Sequence, residues 1–283
     1  MEKMLLGNES IDLRLCLMDS AQCFHFAEIE NGFAGVVKGQ IVLLWQENGG
    51  VYARSDVDAA ALWHFLDLDR DYGALAREFA HIPAAERAIA LYPGLRVLNQ
   101  DPWEALLAFI LSANTNVRRI RSLVEALCGA LGDTFELDGH VLHGFPTPER
   151  LANCEESLLR GLGMGYRAPY LIGTARAVLD GFPLWRLRDM DYFEAHRLLT
   201  SLPGVGDKVA DCVLLFGCEQ TSAFPVDVWV EKLLKSWFCV CGCSRKRLML
   251  QARELLGPNA GLLQQFLFHA ARMGIITTGE AQE

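Results

Sequence analysis

Long apolar runs are missing from this 283-residue sequence, and no stretch reaches the roughly 18 uninterrupted apolar residues of a membrane span. The opening MEKMLLGNESIDLRLCLMD is broken by polar and charged residues and lacks a small-residue cleavage site, so no secretory signal is expected. A soluble, intracellular protein follows, in cytoplasm or nucleoid for a bacterium and nucleus for a eukaryote. Positive charge is also short: 26 Lys and Arg stand against 35 Asp and Glu, a net charge of −9. Phosphate contacts need locally concentrated cations, so the surface as a whole is excluded as a nucleic-acid binder. Internal repeats and low-complexity segments are absent. The nine cysteines contain no C-x-x-C pair, and an odd number without an export signal does not make a disulfide framework. Cys239, Cys241 and Cys243 alternate in FCVCGCS, which is neither a zinc nor a ferredoxin spacing. Free thiols are expected, with no metal and no cofactor.

What is present is ordinary globular material, 51% apolar and 22% charged. At about 150 residues per domain the length predicts two domains. Basic residues gather twice, as Arg118, Arg119 and Arg121 and as Arg245, Lys246 and Arg247; the second group reads as a solvated helix face.

From Cys23 to Ser55 the runs FHFAEIE, FAGVVKG, QIVLLWQ and VYARS are separated by Asn31-Gly32, Lys38-Gly39 and Asn48-Gly49-Gly50, which predicts an antiparallel meander. Beyond about residue 58 apolar positions recur every three or four residues, the helical period. Helices are predicted over 102–113, 117–130, 155–162, 168–179, 192–200, 207–216, 228–237, 244–256 and 260–272. The class is α+β: an N-terminal antiparallel sheet domain with flanking helices, 1–98, and a helical body, 99–283.

The segment Leu202-Pro203-Gly204-Val205-Gly206-Asp207-Lys208 lies between two predicted helices. Its glycines allow a tight hairpin, and the helix that follows starts with free N–H groups able to bind phosphate. Gly204 and Gly206 would then grip a DNA backbone through main-chain amides, which an acidic protein can do. A lone PGVG serves equally as a helix connector. Lys208 in the first turn adds a reactive group, because the positive end of a helix disfavours a cation and the neutral amine is the nucleophile. Asp227, in Phe224-Pro225-Val226-Asp227, supplies a carboxylate for proton handling and for stabilising a cationic sugar. Taken singly, Lys208 is an exposed helix lysine and Asp227 a helix N-cap.

These features resemble the helix-hairpin-helix DNA glycosylase superfamily and, within it, the 8-oxoguanine DNA glycosylases of the eukaryotic type. The resemblance runs from about Ser20 to Phe268 and rests on SAQCFHF, QDPWEALLAFILSANTNVRRI, HGFPTPERLA, GLGMGYRAPYL, EAHRLLTSLPGVGDKVADCVLLF, AFPVDVWVEKL and AGLLQQFLF, in that order. It implies a helix-hairpin-helix domain that holds double-stranded DNA, and a base flipped into a pocket. Lys208 would be the nucleophile and Asp227 the catalytic acid of a combined glycosylase and abasic-site lyase acting as a monomer on oxidised guanine opposite cytosine.

The same resemblance implies that Asn114 fills the gap left by the base, Arg119 and Arg167 read the unpaired cytosine, and Tyr166 wedges beside it. Phe268 and Cys212 would sandwich the damaged base while Gln264 bonds its pairing edge. A Phe or Cys in an apolar helix is otherwise core, and Gln265 competes with Gln264 for the role.

Two positions depart from the family pattern. Ala21 stands where a glycine is frequent, whose carbonyl accepts the N7 proton of the oxidised base. Trp229 stands where many relatives have a histidine that contacts phosphate, and an indole has one donor and no charge. Two other readings stay open: a monofunctional glycosylase for other damaged bases, and a non-catalytic DNA-binding module built on the hairpin.

Overall fold

The computed structural model describes residues 2–7, 10–237 and 244–275. Cys239, Cys241 and Cys243 therefore lie outside the described residues. The six cysteines inside them, Cys16, Cys23, Cys128, Cys154, Cys212 and Cys218, are free thiols.

Strands β1 (Met4–Gly7), β2 (Ala27–Ile29), β3 (Gly32–Val37), β4 (Gln40–Glu47) and β5 (Gly50–Arg54) form one antiparallel sheet in the order β1-β5-β4-β3-β2. Two of its turns are two-residue loops with both residues at positive φ, Lys38–Gly39 (50° and 67°) and Asn48–Gly49 (51° and 79°). That geometry matches the twist of the strands it joins, which is why X-Gly steps select it.

The sheet differs from the expected meander at both edges. β1 is an extra strand; nothing in its four residues marks it, and it exists through pairing with β5. The expected strand FHFAEIE survives only as Ala27–Ile29, because Phe24 and Phe26 turn inward as core. Phe26 lies against Gly35, where an added Cβ would come within 2.5 Å of its ring.

Helices α1 (Ala59–Phe65), α2 (Tyr72–Phe79) and α3 (Pro83–Leu91) lead from the sheet to α4 (Pro102–Leu111) and α5 (Val117–Leu131). A hairpin, β6 (Thr134–Leu137) and β7 (His140–His143), interrupts the helices, turned by Asp138 and Gly139 at φ 52° and 80°. This hairpin is an addition to the elements expected from sequence, although its Asp-Gly step is a hairpin signal. Then come α6 (Pro148–Ala152), α7 (Glu156–Gly161), α8 (Ala168–Leu179), α9 (Tyr192–Leu199), α10 (Asp207–Gly217), α11 (Val228–Trp237), α12 (Arg245–Leu256) and α13 (Ala260–Arg272).

Local chemistry sets several starts: Asp101, Asn116 and Asp191 each accept first-turn N–H groups with their side chains. Helix α4 stops short of the predicted residue 113, since Asn114 takes φ +50°. α10 crosses α4 closely at Gly217, where a Cβ would lie 2.9 Å from Pro102 Cα. The buried apolar residues form one continuous core from the sheet through the helices. No described helix is long and apolar enough to cross a membrane.

Candidate active site

Between α9 and α10 the chain reverses through Gly204, whose φ of +78° and lack of Cβ are both required: a Cβ there would sit 2.5 Å from the Tyr170 ring. Gly206 caps α10 without a side chain, and nothing lies within 4 Å of its Cβ position. The first N–H groups of α10 therefore face open space beside Lys208.

Lys208 opens onto a cleft of about 790 Å³ lined also by Ala21, Cys212, Asp227, Gln264 and Phe268. Its Nζ donates to Ser112 Oγ at 3.2 Å and lies 5.0 Å from the centroid of the Phe109 ring. Ser112 Oγ in turn donates to the Phe109 carbonyl at 2.7 Å. One turn along α10, the Cys212 thiol is pushed up to about 11 by burial, against the pull of the Lys208 cation and its hydrogen bond. Thiol and amine stand side by side, as a spacing of four on one helix requires.

Asp227 caps α11, its Oδ1 accepting from Trp229 N at 3.0 Å and Val230 N at 2.9 Å. It is at once a helix cap and a wall of the cleft. The hydrogen bonds of the pair run elsewhere, Lys208 to Ser112 and Asp227 to the helix backbone, and both side chains remain available to the cleft.

Gln264 and Phe268 share a face of α13, as their spacing of four requires. Gln264 is 3% exposed, donates through Nε2 to Pro225 O at 2.9 Å, and has no partner for Oε1. An orphaned buried acceptor in a cleft wall is a place for a ligand's donor. Gln265, its rival, is bonded to Ser20 O at 2.8 Å. Ala21 reaches the cleft from the N-terminal segment in a left-handed conformation, φ +59°.

Arg119, Tyr166 and Arg167 do not line the cleft; Tyr166 and Arg167 gather beside it on Ala113 and Asn114. The Tyr166 hydroxyl donates to Ala113 O at 3.1 Å and accepts from Asn114 Nδ2 at 3.3 Å. Arg167 also donates to Ala113 O, is 8% exposed and stacks 4.6 Å from the Tyr166 ring. Arg119 reaches Gly163 O at 3.1 Å. Asn114 itself lines the cleft and joins the two groups. Trp229 is exposed at the rim, with Lys232 Nζ 5.4 Å from its ring.

The basic cluster on α5 is split by the fold. Arg118 lines the cleft, while Arg121 turns inward to the carbonyls of Leu17 and Met18. Arg245, Lys246 and Arg247 are exposed, as the reading of a solvated helix face expects; Arg245 also lines the cleft and pairs with Glu231 at 2.6 Å. Ser112, Phe109 and Arg272 were also missed; they meet Lys208 and Asp227 only through long-range packing, which no local pattern announces.

A family described as the N-terminal domain of 8-oxoguanine DNA glycosylase matches residues 3–106, and one described as HhH-GPD superfamily base excision DNA repair protein matches residues 107–258. The N-glycosylase/DNA lyase of Saccharomyces cerevisiae is 39% identical over 168 residues, 54% of this chain and 45% of the yeast protein. A Methanothermobacter thermautotrophicus protein named "Probable N-glycosylase/DNA lyase" is 36% identical over 204 residues, 65% of each chain. The chain thus spans less than two thirds of the length of either relative in these alignments. The 8-oxoguanine glycosylase/lyase of Clostridium acetobutylicum, solved with double-stranded DNA containing cytosine opposite 8-oxoguanine, superposes with a TM-score of 0.88 at 31% identity, covering 95% of this chain and 94% of that one. By its hairpin, its cleft and these matches, the chain belongs to the HhH-GPD superfamily of base excision DNA repair proteins.

Proposed function

We propose that this chain is a bifunctional DNA glycosylase and abasic-site lyase that excises 8-oxoguanine opposite cytosine from double-stranded DNA. The observation that carries the reading is the Lys208 amine, set at the start of the hairpin helix and open to a cleft that Asp227, Cys212, Gln264, Phe268 and Ala21 share. The matched relatives named N-glycosylase/DNA lyase support it. Free N–H groups at Gly204–Lys208 take the DNA phosphates, and Trp229 packs at the rim of that contact. The extruded base enters between Phe268 and Cys212, with Gln264 on its pairing edge and the Ala21 carbonyl on N7–H. Asn114 occupies the vacated stack, Tyr166 wedges beside it, and Arg119 and Arg167 donate to the acceptors of the orphan cytosine.

In the chemical step the Lys208 lone pair forms a bond to C1′ as the bond to the base breaks and its electrons leave with the base. Asp227 stabilises the positive charge on the sugar and handles the proton. Opening of the sugar ring gives a Schiff base, and loss of a C2′ proton expels the 3′ phosphate by β-elimination. Water attack in a monofunctional enzyme would leave the Lys208 amine without a use. The protein works as an intracellular monomer, with the sheet domain over 1–98 and the helical body over 99–283.

Duplexes carrying 8-oxoguanine opposite each of the four bases, incubated with and without borohydride, test the proposal. Excision favouring cytosine with a reducible covalent complex supports it. Base release with no trapped complex favours the monofunctional reading, and no base release at all the non-catalytic one.

A further inference from the structure

Between Leu17 and Gln22 every backbone carbonyl but one is held by a side chain from elsewhere in the fold. Arg121, from α5, donates to the carbonyls of Leu17 at 3.2 Å and Met18 at 2.5 Å. Arg272, from α13, donates to Asp19 O, and Gln265, from the same helix, to Ser20 O at 2.8 Å. Gln100 takes Gln22 O at 2.8 Å. Among the described residues no hydrogen bond uses the carbonyl of Ala21, the one residue of the run that lines the cleft.

The segment is also pinned from within. Ser20 and Gln22 are fully buried; Gln22 Nε2 donates to Ser20 Oγ and Arg96 O, and its Oε1 accepts from Leu98 N. Ala21 sits between them at φ +59°, a conformation that opposes an L side chain and persists only when the surroundings over-determine it. A glycine reaches this region freely. With alanine the hold must come from outside, and the donors that supply it belong to the helical body.

We infer that Arg121, Gln265 and Arg272 are specificity-positioning residues: by holding the carbonyls of residues 17 to 20 they fix Ala21 in its left-handed conformation and present its carbonyl to the damaged base. The inference rests on the substrate reading above. Guanine offers a lone pair at N7 and 8-oxoguanine an N–H, so one carbonyl oxygen attracts the oxidised base and repels the normal one. Discrimination by a single hydrogen bond depends on where that oxygen stands, and the three side chains set it through the backbone carbonyls they hold, Gln265 and Arg272 also lining the cleft.

The test compares two substrates under single-turnover conditions: a duplex with 8-oxoguanine opposite cytosine, and one with a preformed abasic site opposite cytosine. The second needs DNA binding and Lys208 but no base recognition. For Arg121→Met and Gln265→Met, excision of 8-oxoguanine is expected to fall about tenfold while abasic-site cleavage stays within about threefold. Where Arg121→Met does not fold, Arg121→Lys keeps the charge but lacks the fork that reaches two carbonyls, and carries the same comparison. An equal fall on both substrates, or no change on either, overturns the inference. If the wild type cleaves the abasic duplex but leaves 8-oxoguanine in place, the substrate reading falls and the inference with it. If the wild type processes both and the variants match it, the inference alone falls.

Discussion

The Lys208 amine donates to the Ser112 hydroxyl at 3.2 Å, and that hydroxyl spends its own proton on the Phe109 carbonyl at 2.7 Å. Ser112 therefore meets the amine as an acceptor and fixes one of its N–H directions above the Phe109 ring. Removing the hydroxyl frees the amine to rotate. Ser112→Ala is expected to lower the single-turnover rate of Schiff-base formation about tenfold, with duplex affinity little changed. An unchanged rate would show that the cleft orients Lys208 without Ser112.

Arg119 stands beside the cleft rather than in it, held to Gly163 O. Under the proposed function it reads the base opposite the lesion, so Arg119→Ala should relax the demand for cytosine by roughly tenfold, about one good base contact. Rates with 8-oxoguanine opposite each of the four bases report this directly. Equal discrimination in variant and wild type would contradict it.

Ala21 combines a strained conformation with a place in the cleft wall. Ala21→Gly relieves left-handed strain of about 1 kcal/mol, which predicts a thermal midpoint higher by roughly 2 °C. It also removes a methyl group from the cleft, so the ratio of 8-oxoguanine to guanine excision should change severalfold. Should both quantities stay fixed, neither the strain nor the methyl group matters.

Behind the hairpin, Tyr192 donates to the buried carboxyl of Asp211 at 2.6 Å, and Arg253 stacks 3.2 Å over the Tyr192 ring. Burial pushes Asp211 up to about 7, opposed by the Tyr192 hydrogen bond and the Arg253 charge. Its ordinary value is 3.8, so the folded protein binds the proton more tightly than the unfolded chain. The associated stability is complete below about pH 4 and is lost as pH rises through about 7. In denaturant titrations the wild type should lose about 1 kcal/mol per pH unit inside this window relative to Asp211→Asn. Parallel pH profiles for the two proteins would place the ionisation elsewhere.

Much of the fold was readable because its signals are local. Helical periodicity placed α4, α5 and α7 to α13 within one or two residues, and the X-Gly turns placed β3 to β5. Part of what escaped depends on partners distant in sequence: β1 is made a strand by β5, and Arg121 faces the N-terminal carbonyls because α5 packs there. The β6–β7 hairpin escaped despite its local Asp-Gly turn. The site divides in the same way. The hairpin glycines, Lys208 and Asp227 suggest their chemistry from their own segments, and the resemblance supplied the residues proposed to meet the base and the orphan cytosine. Ser112 and Arg272 act through contacts that only folding creates, and the acceptor character of Gln264 emerged only once its Nε2 was seen bound to Pro225.

The central claim is that the Lys208 amine becomes covalently joined to the sugar. Borohydride reduction during turnover on a duplex with 8-oxoguanine opposite cytosine, followed by proteolysis and mass spectrometry of the adduct, tests it most directly. The account predicts a sugar-derived mass on the peptide at Lys208 and no adduct from Lys208→Gln, which should still bind the duplex. An adduct on another residue, or base release by Lys208→Gln at the wild-type rate, would contradict it.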